Sequence, residues 1–317
     1  MAHRIFIDGE EGTTGLQIRE RLEGRAELEL IHLPDERRKD KDARRDALNG
    51  ADIAILCLPD DAAREAVDLI DNPDTRVIDA STAYRVAEGW TYGFPELDRG
   101  HEATVAAALR VSNPGCYPTG AIGLIRPLVS AGILSSDHPV AINAVSGYSG
   151  GGKSLIAKME DPDCEGAISS AYFAYGLGLE HKHVPEIARH ARLDYRPLFT
   201  PSVGRFRQGM IVQLPLELRC LPGSPTLADI RSVLGEWYEG RRFVSLANEE
   251  ETKAREGLLD PEELNDTNRL RLFVFGNGGR GQALLAAQLD NLGKGASGQA
   301  VQNLNLMLGL GEDTGLN

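Results

Sequence analysis

At 317 residues the chain exceeds one average domain and suits two, each large enough to bury its own core. Its composition, 42% hydrophobic and 26% charged, is ordinary for a soluble protein, and no apolar run nears the roughly 20 residues that span a bilayer. Lys and Arg number 34 against 47 Asp and Glu, and the net charge of −13, with no segregated basic face, speaks against nucleic acid as a partner.

The N-terminus, MAHRIFIDGE, enters a strand-like run almost at once and lacks the apolar core and cleavage site of a signal peptide, so a cytoplasmic location is expected. From there RIFIDG, TGLQIRERLEG, ELELIHL, ADIAILCLP, DAAREAVDLI and RVIDAS alternate strand-like and helical patterns, the rhythm of a parallel α/β sheet. Gly24 reads as the C-terminal cap of the first helix, and Cys57 as filler inside a strand buried on both faces. Beyond about residue 120 the runs PVAINAVSGYSG, MIVQLPLELRC and RLRLFVFGN suggest longer strands and a second, α+β domain, with an acidic helical stretch around 245–266. The last segment, ASGQAVQNLNLMLGL, places Ala300, Val301, Leu304 and Leu308 on one face of an amphipathic helix.

Directly after the first strand, GEEGTTG spaces Gly9, Gly12 and Gly15 as GxxGxxG. Glycines there permit a tight turn and close backbone approach, and the following helix start, with Thr13 and Thr14, offers free N–H groups to a pyrophosphate. After the second strand comes PDERRK. Asp35 or Glu36 would suit the ribose hydroxyls of NAD, but Arg37, Arg38 and Lys39 are better partners for a 2′-phosphate, which favours NADP(H). A second anion motif, GYSGGGKS at 147–154, fits the GxxxxGK[ST] phosphate loop of nucleotide triphosphatases. No apolar strand with a metal-binding Asp follows it, so triphosphatase activity is not expected; Ser146, Ser149 and Lys153 remain candidates for holding a phosphate or carboxylate.

The four cysteines, Cys57, Cys116, Cys164 and Cys220, lie far apart with no CxxC spacing, which argues against a zinc knuckle or a disulfide framework. One stands out chemically. In VSNPGCYPTG, Asn113, Pro114 and Gly115 force a turn, and Thr119 and Gly120 can open a helix after Pro118, leaving Cys116 near a helix N-terminus, where a thiol's pKa is lowered. The densest histidine cluster, EHKHVPEI, supplies a base. If His183 begins a helix, Glu186 three residues later can orient its ring, and His181 is a second candidate; no further ligands suggest a metal. A cysteine nucleophile beside a nicotinamide cofactor points to a thioester reduced to an aldehyde, with an acyl phosphate as the activated substrate.

At this point the residues resemble a known family, the short form of the N-acetyl-gamma-glutamyl-phosphate reductases of arginine biosynthesis, within the semialdehyde dehydrogenase superfamily. The resemblance runs through the glycine loop, VIDASTAYR at 77–85, YGFPEL at 92–97, SNPGCYPT, SGYSGGGK, HKHVPEI and DNLGKGASGQAVQN at 290–303, over nearly the whole chain. It implies a Rossmann-type NADP domain of residues 1–117 and 290–317, with a catalytic and dimerisation domain of 118–289. It further implies Cys116 as nucleophile, His183 as acid/base supported by Glu186, and His181 near the substrate. Gly298 through Asn303 and Ser81 would lie by the cofactor and Arg85 in the cleft, in a homodimer or homotetramer. The sequence departs from the family's commoner loop in carrying Glu10 and Glu11 where small apolar residues are frequent. A related semialdehyde dehydrogenase acting on another acyl phosphate, such as aspartyl phosphate, is the rival reading.

Overall fold

The computed structural model describes residues 2–317. The chain packs as two compact units, one comprising residues up to Pro95 with Gly100–Gly115 and Ala296–Asn317, the other Glu96–Arg99 with Cys116–Gly295. Cys116, Tyr117 and residues 290–295 therefore pack within the second unit, whereas the sequence reading drew its lines after 117 and before 290.

The first unit alternates β1 (His3–Asp8), α1 (Thr13–Leu22), β2 (Leu28–Ile31), α2 (Lys41–Gly50), β3 (Ile53–Leu56), α3 (Asp60–Asp68), β4 (Arg76–Asp79), β5 (Thr91–Tyr92), α4 (His101–Ala107) and β6 (Arg110–Ser112). The six strands are all parallel, in the order β2-β1-β3-β4-β6-β5. The chain leaves β1 toward β2 and returns on the other side as β3, and such a reversal opens a crevice at the carboxyl ends of the strands. Local chemistry sets the ends of the helices. Gly24, at φ +76, follows α1 where an L side chain would be strained, and Asp40 caps α2 by accepting from Ala43 N at 2.7 Å. β3 is buried along its whole length, but Cys57 lies one residue beyond it rather than inside.

The second unit contains α5 (Cys116–Ser130), β7 (Ala141–Gly147), α6 (Gly152–Glu160), β8 (Tyr172–Ala174), α7 (Val184–His190), β9 (Leu198–Gly204), β10 (Met210–Glu217), α8 (Leu227–Tyr238), β11 (Val244–Leu246), α9 (Glu249–Ala254), β12 (Leu270–Asn277) and β13 (Gln282–Leu289). Its mixed sheet runs β11-β12-β13-β10-β7-β9-β8. α5 lies on this sheet so closely that a Cβ at Gly120 would stand 2.8 Å from Val212 Cγ2. The helix starts at Cys116 itself, not after Pro118, because a proline in the first turn gives up an N–H that has no partner there anyway. The expected acidic helix around 245–266 shrinks to the six residues of α9, begun by the Asn248/Glu251 capping box and over before Gly257 and Pro261.

A π-helical turn, Gly293–Ser297, leads into α10 (Gly298–Met307), which belongs to the first unit. Ala300, Val301, Leu304 and Met307 join Ile5, Ile7, Ile18, Ile53, Ile55, Ile78, Val105 and Val111 in one core, with Leu308 packed at its edge. The helix is not amphipathic in its setting: every residue from Gly298 to Asn305 is buried. Among the described residues no helix is long and apolar enough to cross a membrane, and no three His, Cys, Asp or Glu side chains cluster as metal ligands.

Candidate active site

Cys116, the first residue of α5, lines a cavity of about 220 Å³ in the second unit together with Tyr117, Ser146, Gly147, Gly150, Gly151, Leu155, Phe173, Tyr175, His181, Lys182, His183 and Val203. Cys116 is half-buried, and no carboxylate is among these lining residues. His183 caps α7, whose Pro185 and Glu186 fill the first turn, and the His181 and His183 rings meet edge-on with centroids 4.7 Å apart. The backbone N–H of His183 donates to His181 Nδ1 at 3.2 Å, which fixes the His181 tautomer with its proton on Nε2. Burial, with Lys182 adding to it, lowers the His181 pKa to about 4, so this imidazole is neutral and offers a donor.

Behind the thiol, Tyr117 Oη donates to the Ser202 carbonyl at 3.0 Å and accepts from Tyr175 Oη at 3.3 Å. Burial holds both phenols well above their ordinary pKa, Tyr175 at about 12, so they remain neutral hydrogen-bonding walls.

The first unit carries a larger cleft of about 540 Å³, lined by Phe6, Ile7, Asp8, Gly9, Glu10, Glu11, Leu33, Asp35, Glu36, Arg38, Lys39, Arg44, Leu58 and Ala62. Gly9 sits at φ +88, and a Cβ there would meet the Cys57 carbonyl oxygen at 2.5 Å; a Cβ at Gly15 would meet the Gly9 oxygen at 2.3 Å. The loop therefore closes only on glycine. No side chain caps α1, which leaves its first-turn amides to a ligand, and the buried Thr13 Oγ1 has no partner among the described residues. This cradle fits a dinucleotide phosphate. Glu10 and Glu11 do not spoil it, since His32 and Arg19 face the first at 3.1 and 3.7 Å and Arg38 and Arg19 the second at 3.1 and 3.5 Å.

Comparison with known proteins bears on both halves. Residues 4–105 match the family model described as the semialdehyde dehydrogenase NAD binding domain, and residues 116–291 the semialdehyde dehydrogenase dimerisation domain. The chain is 57% identical over 310 residues to the N-acetyl-gamma-glutamyl-phosphate reductase of Brucella anthropi, covering 98% of this chain and 99% of that protein. It is 58% identical to that of Brucella ovis, covering 98% and 100%. The chain belongs to the N-acetyl-gamma-glutamyl-phosphate reductase family. Solved structures with the same fold include aspartate semialdehyde dehydrogenase II from Vibrio cholerae, at TM-score 0.71 and 15% identity over 97% of this chain and 98% of that one. Another is the Candida albicans aspartate semialdehyde dehydrogenase with NADP, at TM-score 0.66 and 13% identity over 97% and 99%.

Within this reductase-family chain the residues singled out from sequence fall into two groups. Cys116, His181 and His183 come together around one cavity, and Glu186 is buried a turn along α7. Gly9 and Arg38 line the first unit's cleft, with Gly12 capping α1 and Thr13, Thr14 and Gly15 forming its first turn. The others are absent from the linings of these two cavities. Arg37 is exposed and faces Asp40 at 3.4 Å. Ser81 Oγ donates to Asp79 at 2.7 Å, and Arg85 donates to the carbonyls of Asn113 and Ala80 at 3.0 and 3.2 Å, both inside the first unit. Ser149 is buried and accepts from Asn291 at 3.0 Å, while Lys153 stands exposed on α6; neither lines the Cys116 cavity. Gly298 is enclosed in α10, and Asn303 donates to Gly93 O and Asn113 Oδ1 at 2.9 and 3.0 Å.

The first amides of the phosphate-loop motif are engaged within the fold: those of Gly147, Tyr148 and Ser149 donate to the carbonyls of Gly209, Phe206 and Arg207 at 2.9, 3.0 and 3.0 Å, while Ser146, Gly147, Gly150 and Gly151 line the Cys116 cavity. Sequence reasoning missed Tyr175, Lys182, Phe173 and Arg44 as lining residues. Of these only Lys182, between the two histidines, carried a local signal.

Proposed function

We propose that this protein reduces N-acetyl-γ-glutamyl phosphate with NADPH to N-acetylglutamate semialdehyde and phosphate, a step of arginine biosynthesis, with Cys116 as nucleophile. The observation that carries the reading is the single cavity shared by a helix-opening thiol and two imidazoles of which one is held neutral. The Cys116 thiolate attacks the acyl carbon, the C–O bond to phosphate breaks, and an enzyme thioester remains. NADPH, which Gly9, Gly12 and the open N-terminus of α1 would hold, would supply the hydride for reduction of this thioester.

His183 moves the proton. It takes the thiol proton as attack begins and returns it to the Cys116 sulfur as the thiohemiacetal alkoxide collapses, the C–S bond breaks and the semialdehyde leaves; Glu186 supports the start of its helix. His181, neutral with a proton on Nε2, donates to a substrate oxygen instead. Lys182 is the cation of this cavity best placed for the anionic substrate. For the cofactor, Lys39 and Arg38 lie in the cleft as partners of a 2′-phosphate, and Lys39 makes no ion pair among the described residues. The protein acts in the cytoplasm as a homodimer or homotetramer.

The test is phosphate-dependent reduction of NADP by the semialdehyde, in the wild type and in Cys116→Ala. Loss of turnover on the order of 10⁴-fold or more is expected, and undiminished turnover refutes the assignment.

A further inference from the structure

One fully buried charge of the second unit lies outside the Cys116 cavity. The Lys294 ammonium is 0% exposed and donates to both oxygens of Glu96 at 2.8 and 2.9 Å, with the Phe243 ring centroid 5.6 Å away. Taking two charges out of water is costly, and apolar side chains of similar volume commonly stabilise a fold as well or better. Stability alone is a weak reason for such a pair, which directs attention to what it holds in place.

The residue after Lys294 is Gly295. A Cβ on it would stand 2.8 Å from Cys116 Cβ and 3.2 Å from Cys116 Cα, so the backbone of the π-helical turn rests directly on the carbon that carries the thiol. Asp290 secures the other end of this segment. Its carbonyl accepts from Gly295 N at 2.9 Å, and its carboxylate accepts from Leu292 N, Asp266 N and Gln208 Nε2 at 2.8, 2.9 and 2.6 Å. Gly293 is equally confined, since a Cβ there would meet the Thr267 carbonyl oxygen at 2.2 Å. Residues 290–295 are thus clamped by Asp290 at one end and Lys294 at the other, with Cys116 beneath the exit.

We propose that the Glu96–Lys294 ion pair is a positioning element for the reaction: it presses Gly295 onto Cys116 and so holds the thiol turned into the cavity it shares with His183. The inference rests on the reading of Cys116 as nucleophile. Neither member of the pair lines that cavity; both act through the backbone of residues 294–295. Misplacement of a reacting group by about 1 Å costs on the order of a hundredfold in rate without touching the substrate's binding contacts.

The experiment compares Glu96→Gln/Lys294→Met, which replaces the pair by a neutral one of similar size, with Glu96→Asp, which keeps both charges and withdraws the carboxylate by one methylene. For folded protein, verified by circular dichroism, kcat of the double variant should fall about ten- to a hundredfold while KM for the acyl phosphate and for NADPH stays within about twofold. Glu96→Asp should show a smaller fall of the same kind. Wild-type kcat in the folded double variant overturns the proposal, as does a KM that rises with kcat unchanged. Should the double variant not fold, Glu96→Asp decides alone, and wild-type kcat there is equally fatal. Turnover by Cys116→Ala would instead refute the underlying reading, so the two failures are separable.

Discussion

Cys57 and Cys116 are the same side chain in opposite settings. Cys57 follows the end of β3, where burial, with the carboxylates of Asp79 and Asp8 adding to it, pushes its thiol up to about 12. Cys116 opens α5 on a cavity whose lining holds two imidazoles and an ammonium and no carboxylate. A thiolate is stabilised by N–H dipoles and cations and opposed by desolvation and anions. The comparison teaches that the setting of a thiol is decided by which end of an element the cysteine occupies and by which charges face it.

The strongest way to break the comparison is exchange at both positions. Cys116→Ala should abolish turnover as stated above, whereas Cys57→Ala should leave kcat within about twofold, because it removes only a sulfur packed beside the first unit's core. Equal losses in steady-state assays would erase the distinction. Next in size is the pair of histidines: His183→Asn is expected to lower kcat by about 10²–10⁴-fold, as loss of a general acid/base does. His181→Asn should act mainly on KM, by about tenfold, as loss of one hydrogen bond to a bound substrate. Reversal of that order would transfer the proton-carrying role to His181.

Legibility followed the range of the interactions. The glycine loop, the alternating strands and the NPGC turn were readable because each is written in neighbouring residues. α10 was misread as amphipathic because its polar residues bond outside the helix: Asn305 donates to the carbonyls of Glu312 and Thr314 just beyond it and accepts from distant Arg25, and Asn303 reaches Gly93 and Asn113. Arg85 donates to the carbonyl of Asn113, 28 residues along the chain, a link that no local pattern announces. The Lys294–Glu96 pair spans nearly two hundred residues of sequence, a separation of 198, and left no mark in local pattern. Tyr175 likewise enters the cavity only because β8 pairs with β9, which no spacing within YFAYGLG announces.

Smaller effects sharpen the contrast. Lys39→Glu should raise KM for NADPH about tenfold relative to NADH, through loss of a cation facing the 2′-phosphate and gain of an anion; an unchanged ratio excludes Lys39 from that role. The smallest expected effect is on stability. His181 has its pKa lowered in the fold from 6.5 to about 4, so its contribution is present above pH 6.5 and lost as pH falls toward 4, where the unfolded chain binds the proton and the folded one does not. His181→Gln should therefore flatten the decline of Tm between pH 6.5 and 4, and a decline as steep as in the wild type would count against the buried neutral ring.

The discontinuity of the first unit has a consequence for the order in which the protein can be made. Its core needs Ala300, Val301, Leu304 and Met307, yet the ribosome must first deliver the whole of residues 116–295, which at about 5–20 residues per second takes roughly 10–40 s. During that interval Ile5, Ile18 and Val105 lack the helix that covers them, while the second unit, nearly continuous in sequence, can complete its own sheet. The nucleotide cradle is therefore among the first segments synthesised and among the last to be finished.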